Sequence, residues 1–260
     1  MLAISARTRA QAVTTAADTL RVALPPEYFE QVAEAEAFLA AANSRTVCQK
    51  TDLHSAVLDA IQEGRNYHQD PVIRAMALNV QLTQGNILAD ARARNEQLML
   101  AALRDHADDI LDSWADPLDE HASKLADAAK ARVNLNDANA ALSRGLATMT
   151  HLHNAQNAVK AWTTAGYGFH ALAAVAGVRI SADPVTVLTP ARLADLEPAF
   201  EMAREEGARE ISAWILSRCD LPLQLATLDE FKARAAQYRS DTDAVAREHA
   251  TRAKAAGFSR

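Results

Sequence analysis

Cysteine is scarce in this chain of 260 residues: Cys48 and Cys219 lie far apart and follow no C-x-x-C spacing. That argues against a disulfide framework and fits a reduced, cytoplasmic setting. Glycine and proline number only 8 each, and aromatic residues make up 5%. Few turn-formers and few β-favouring aromatics leave little material for sheets. The opening stretch MLAISARTRAQAVTTAADTL has no continuous apolar run, so it does not read as a secretory signal. It lacks acids until Asp18, a weak likeness to a transit peptide, but an amphipathic first helix is the expectation. A basic balance is missing too. Net charge is −6 and the pI about 5.8, which argues against a general nucleic-acid binder. Basic residues gather only at the end, at Arg247, Arg252, Lys254 and Arg260.

What is abundant is alanine, 58 residues of it. Alanine is the strongest helix former and brings little bulk, so the core must use close backbone approach as well as side-chain volume. Helix punctuation is legible. Asp70-Pro71, Asp116-Pro117 and Thr189-Pro190 each place a capping side chain before a proline, whose missing N–H costs nothing at a first helical position. Pro25-Pro26 before Glu27 marks another start, and Thr227-Leu-Asp-Glu230 reads as a capping box.

These signals predict helical blocks over about 3–23, 27–43, 52–66, 71–113, 117–177 and 190–256. Apolar residues recur at three- and four-residue intervals through both long blocks, from Ile73 to Trp114 and from Leu118 to Ala173. A continuous helix over 71–113 would extend about 64 Å at ~1.5 Å per residue, so breaks are expected. NLNDAN (134–139) and Arg144-Gly145 are the weakest points. In VRISADPVTVLTP, Val178, Ile180, Val185 and Val187 alternate around Asp183-Pro184, as in an extended linker or a tiny hairpin. The expected fold class is all-α. Long amphipathic helices form an antiparallel helical hairpin or bundle over 1–177, with long helices at about 71–113 and 117–177. A linker at 178–189 leads to a smaller C-terminal helical hairpin over 190–260.

Between Lys160 and Arg179 lie eighteen residues without formal charge. The run is too short and too rich in Ala, Gly, Thr and His for a membrane span. Gly166-Tyr-Gly168-Phe-His-Ala171 has the spacing of a dinucleotide loop, with Asp183 downstream, but it follows a helical pattern rather than a strand. Val159, Trp162, Phe169, Leu172 and Ala173 share an apolar side there, with Gly166 between the bulky groups. Gly166→Leu is therefore expected to overpack the helix, at about 1–3 kcal/mol. Trp162, Gly166, Tyr167, Phe169 and His170 form the candidate pocket or interface. His153, Asn157, Lys160, Thr164 and Tyr167 make a polar stripe beside it, expected to face water.

The eight histidines supply no Glu-x-x-His pair and no His-Glu-x-x-His. His106 and Asp109 sit one turn apart, and His121 would approach them if DSWADP were a turn. With neighbouring aspartates these three are a weak cation candidate, against which stands a solvated helix end. No nucleophile elbow or phosphate-loop lysine occurs. Residues 52–78 match a DNA-binding helix pair only in outline, because the second helix is not basic. No catalytic residues, cofactor or metal are expected. The expected function is a non-enzymatic, structural or protein–protein interaction component of assembly type, cytoplasmic or in a virion, with a protein partner or itself as homo-oligomer. The competing expectation is a helical small-molecule-binding protein or enzyme. Its mark would be an enclosed pocket of several hundred Å³ near Trp162–His170.

Overall fold

The computed structural model describes residues 4–45, 50–178 and 184–255. Among these the chain is all-helical, 78% helix without a strand. It divides into two compact units, one of Met1–Arg7 with Pro26–Leu103 and one of Thr8–Pro25 with Arg104–Arg260.

The smaller unit holds α2 (Pro26–Arg45), α3 (Lys50–Gln62), α4 (Pro71–Gln84) and most of α5 (Ile87–Asp105). Helix α4 starts where the sequence predicts. The Asp70 carboxylate accepts the backbone N–H groups of Val72 at 2.9 Å and Ile73 at 3.3 Å. Those bonds, with Arg65 beside it, hold the carboxyl below its ordinary range. The helix expected over 71–113 is broken twice, at Gly85-Asn86 and at His106. Asn86 takes the left-handed conformation, φ 58°, which Asn tolerates better than most residues.

The larger unit is organised by α6 (Ala107–Lys130) and α8 (Leu146–Val175), which pack together. α1 (Ala6–Leu20) contributes most of its length, and the short α7 (Ala138–Ser143) follows α6. The helix expected to start at Pro117 does not start there, because α6 runs through it. Ile110, Leu111, Trp114, Leu118 and Leu125 are all buried along α6. Burying five large side chains, at about 1.5–3 kcal/mol each, outweighs the roughly 3 kcal/mol that an internal proline costs. The block expected over 117–177 is interrupted at both weak points, between Lys130 and Ala138 and at Arg144-Gly145. Gly145, φ 99°, turns the chain into α8.

After α8, residues 179–183 of the expected linker or hairpin lie outside the described residues. The following Val185–Leu188 is one helical turn, α9, with Val185 and Val187 buried rather than alternating. Thr189-Pro190 does not open a helix either. The Thr189 hydroxyl accepts the Ala191 N–H at 3.2 Å in an extended segment, and helical structure resumes as a 3₁₀ turn at Leu193–Leu196. Then come α10 (Glu197–Glu205), α11 (Ala213–Arg218) and α12 (Leu228–Ala255). Val185, Leu196, Ala199, Ile215 and Leu216 form a local core there. The Phe231 ring of α12 meets Phe169 of α8 edge-on, with centroids 5.4 Å apart.

The capping box forms as predicted. The Thr227 N–H donates to Glu230 Oε2 at 3.0 Å, and the Glu230 N–H to Thr227 Oγ1 at 3.2 Å. Thr227→Ala removes one acceptor and frees the glutamate, so a loss of about 1 kcal/mol is expected in a urea titration.

Candidate functional site

Helix α8 splits the candidate residues between two sides. Trp162 and Phe169 are turned into the core, at 1% and 0% exposure. Gly166, Tyr167 and His170 line a surface hollow with Pro184, Val187, Glu210 and Ile211, and the largely buried Trp162 also contributes to its wall. The hollow encloses about 140 Å³. That is roughly half the lower bound of about 300 Å³ for a small-molecule pocket. Tyr167 is 66% exposed. His170 is half-buried, and burial pushes its imidazole below the ordinary 6.5, partly opposed by Glu210. The expected pocket of several hundred Å³ is therefore not found at this place.

Gly166 also behaves differently from its sequence reading. A Cβ placed there would meet nothing within 4 Å, so the expected overpacking at Gly166 is corrected. The close approach is at Gly168. A Cβ there would lie 2.5 Å from Trp114 Cη2, 2.9 Å from Trp114 Cζ3 and 3.1 Å from the Ala16 Cβ. The glycines thus serve packing inside a helix. The apparent dinucleotide loop is helical throughout, and Asp183 lies outside the described residues. No helix among the described residues is long and apolar enough to cross a membrane.

The cation candidate is separated by the continuity of α6. His106 occupies the residue before the helix, with Nδ1 3.9 Å from Asp109 Oδ2. His121 is fifteen residues further along the same helical run, about 22 Å away at ~1.5 Å per residue. DSWADP is helix rather than a turn, so His121 does not reach the pair. Asp108 and Asp109 sit in the first turn of α6, where negative charge complements the helix dipole. Among the described residues, no three His, Cys, Asp or Glu side chains are grouped to hold a metal ion. Cys219 packs against the local core, and burial pushes its thiol up, the reverse of what a nucleophile needs. Cys48 lies outside the described residues.

The polar stripe on α8 faces water at His153, Asn157, Lys160 and Tyr167, with the Asn157 amide 3.0 Å from His153 Nε2. Part of it borders something the sequence did not reveal: a polar cavity of about 470 Å³ where α6 and α8 meet the end of α1. Its residues come from three separate parts of the chain, so no local spacing marks it. His121 lies in this cavity. Its imidazole is pushed below 6.5, mainly by burial and secondarily by Lys124.

Both depressed histidines are favoured neutral in the folded state. Their contribution to stability is complete above the unfolded value of 6.5 and is lost as pH falls through the lower folded values. Tm is expected to be flat above pH 7 and to fall from about 6.5 downward. His121→Gln combined with His170→Gln should flatten that first limb. A limb unchanged in the double variant would show that other groups cause it.

The exposed apolar side chains are unevenly distributed. Of the twelve large hydrophobic residues that remain exposed among the described residues, eight belong to the smaller unit. Leu58 (65%) and Ile61 (56%) lie three residues apart on α3, a helix in which only Ala60 is buried. Val72 and Leu78 on α4 and Phe29 on α2 are also more than half exposed. The chain matches no family model, no curated protein and no solved structure.

Proposed function

We propose that the protein is a non-enzymatic assembly component that associates with copies of itself through the apolar side chains of α2, α3 and α4. The carrying observation is the concentration of exposed large hydrophobics in the smaller unit, headed by Leu58 and Ile61. Exposed apolar side chains scattered singly need no explanation, whereas adjoining ones, as at Leu58 and Ile61, form a patch of the kind that marks an interaction surface. Leu58 and Ile61 share a helix face at i, i+3 spacing, the form in which one helix offers anchors to another. A second copy brings the same face, and homo-oligomers with self-complementary patches are the commonest soluble assemblies.

The larger unit then acts as the rigid body of the subunit. An antiparallel α6–α8 hairpin is part of this reading. The pairs that support it run in opposite senses: Arg104 Nε donates to the Val175 carbonyl at 3.3 Å, Trp114 faces Gly168, and His121 shares a cavity with Asn157. A cytoplasmic or virion-type setting suits such a building block.

Cross-linking tests the surface. Wild-type protein is expected to give a ladder of covalent oligomers with a short amine-reactive reagent. Leu58→Glu with Ile61→Glu should abolish the ladder while leaving far-UV circular dichroism unchanged. A ladder that survives both substitutions would remove this face from the assembly.

A further inference from the structure

The cavity between α6, α8 and the end of α1 contains cations that the fold leaves unused. Arg21, Lys124 and Lys160 line it, with Asp18 and Glu120 as the acids. Lys124 is bound to Glu120 at 2.7 Å, and the two cancel. The Arg21 guanidinium, the Lys160 ammonium and the Asn154 amide side chain have no hydrogen-bond or ion-pair partner among the described residues. Arg21 is held at φ 58°, a left-handed conformation that an L side chain rarely adopts, at the end of α1.

Other cavities of the larger unit differ on this point. In the one beneath the 3₁₀ turn, Arg192 is bound to Asp241 at 3.0 Å and carboxylates outnumber cations. In the one beside Trp214, Arg218 is taken by Glu206. Only at α1, α6 and α8, among these three, do two unpaired cations and an amide face one concavity. Its volume of about 470 Å³ lies within the range of about 300–1,000 Å³ for metabolite sites and far exceeds a bare ion.

The geometry points to a binding site for a small organic anion, of the phosphomonoester class, held by Arg21 and Lys160 with Asn154 as a neutral hydrogen-bonding group. The anionic end pairs with the guanidinium and ammonium groups. The hydroxylated remainder meets Asn154 and the Asp18 carboxylate. This site belongs to the larger unit and stands independently of the association surface on the smaller one.

Titration calorimetry at low ionic strength tests it, with glucose 6-phosphate, inorganic phosphate and glucose as probes. Glucose 6-phosphate is expected to bind one per chain, more weakly as salt is added, and glucose not at all. Lys160→Gln should weaken binding about tenfold or more, the effect of one charge-assisted hydrogen bond. Arg21→Gly should weaken it similarly while raising Tm, because glycine relieves the positive φ, so a folding defect cannot mimic the result. No heat with glucose 6-phosphate up to about 10 mM would overturn the proposal. So would wild-type affinity in both variants. Inorganic phosphate binding as tightly as the sugar phosphate would overturn the assignment to an organic ligand.

Discussion

Trp114→Ala is expected to be the most damaging single substitution in the larger unit, at about 3–5 kcal/mol. Trp114 is fully buried in α6, in the stripe that carries the helix through Pro117. Its removal leaves a cavity bounded by the backbone of α8 at Gly168, and a helix backbone cannot close in as a side chain would. The Nε1 is buried without an acceptor, so deleting the indole also removes an unsatisfied donor. That offset places the expected loss at the lower end, about 3 kcal/mol. Trp114→Phe keeps part of the volume and sheds the unpaired N–H, and should cost clearly less. Urea unfolding monitored at 222 nm measures both. A loss for Trp114→Ala as small as that of an exposed residue would show that the indole does not hold α6 against α8.

Gly168→Ala is the second large effect, and its sign runs against helix propensity. In an open helix the change from glycine to alanine gains roughly 1 kcal/mol. At Gly168 the added methyl falls 2.5 Å from Trp114 Cη2, an atom of a ring with 0% exposure and nowhere to retreat. Overpacking of this kind costs about 1–3 kcal/mol. Gly166→Ala, two residues away with nothing within 4 Å, should instead stabilise by about 0.5–1 kcal/mol. Opposite signs at the two positions are the expected result. The penalty at Gly168 should shrink in a Trp114→Phe background, which makes the contact visible as a coupling energy. Equal effects at the two glycines would contradict the close approach of α6 and α8.

What the sequence made legible was local. Asp70-Pro71 and the Thr227–Glu230 box mark real helix starts because a cap and its N–H partners lie within three residues of each other, and Pro25-Pro26 marks one because proline's fixed φ suits a first turn. Asp116-Pro117 carries the same local signal and is overruled, since the burial of Trp114 and Leu118 depends on the partner helix α8. Thr189-Pro190 fails similarly, its hydroxyl spent on a turn. The break at Gly85-Asn86 was present as a dipeptide typical of a helix end, and the apolar period across it concealed it.

The site was less legible for the same reason. A glycine in an apolar helical stretch announces close packing but not which of two glycines makes it. That choice depends on where Trp114 arrives. The polar cavity joins residues more than a hundred positions apart, Arg21 with Lys160, and no spacing rule connects them. The sequence predicts a helix over 52–66, but that Ala60 is the one buried residue of α3 emerges only in the folded chain.

Light scattering across a concentration series tests self-association through the smaller unit most directly. The predicted result is a mass that rises above the 28.1 kDa of one chain toward a small whole-number multiple as concentration increases. A strictly monomeric 28.1 kDa species at the highest attainable concentration would contradict it.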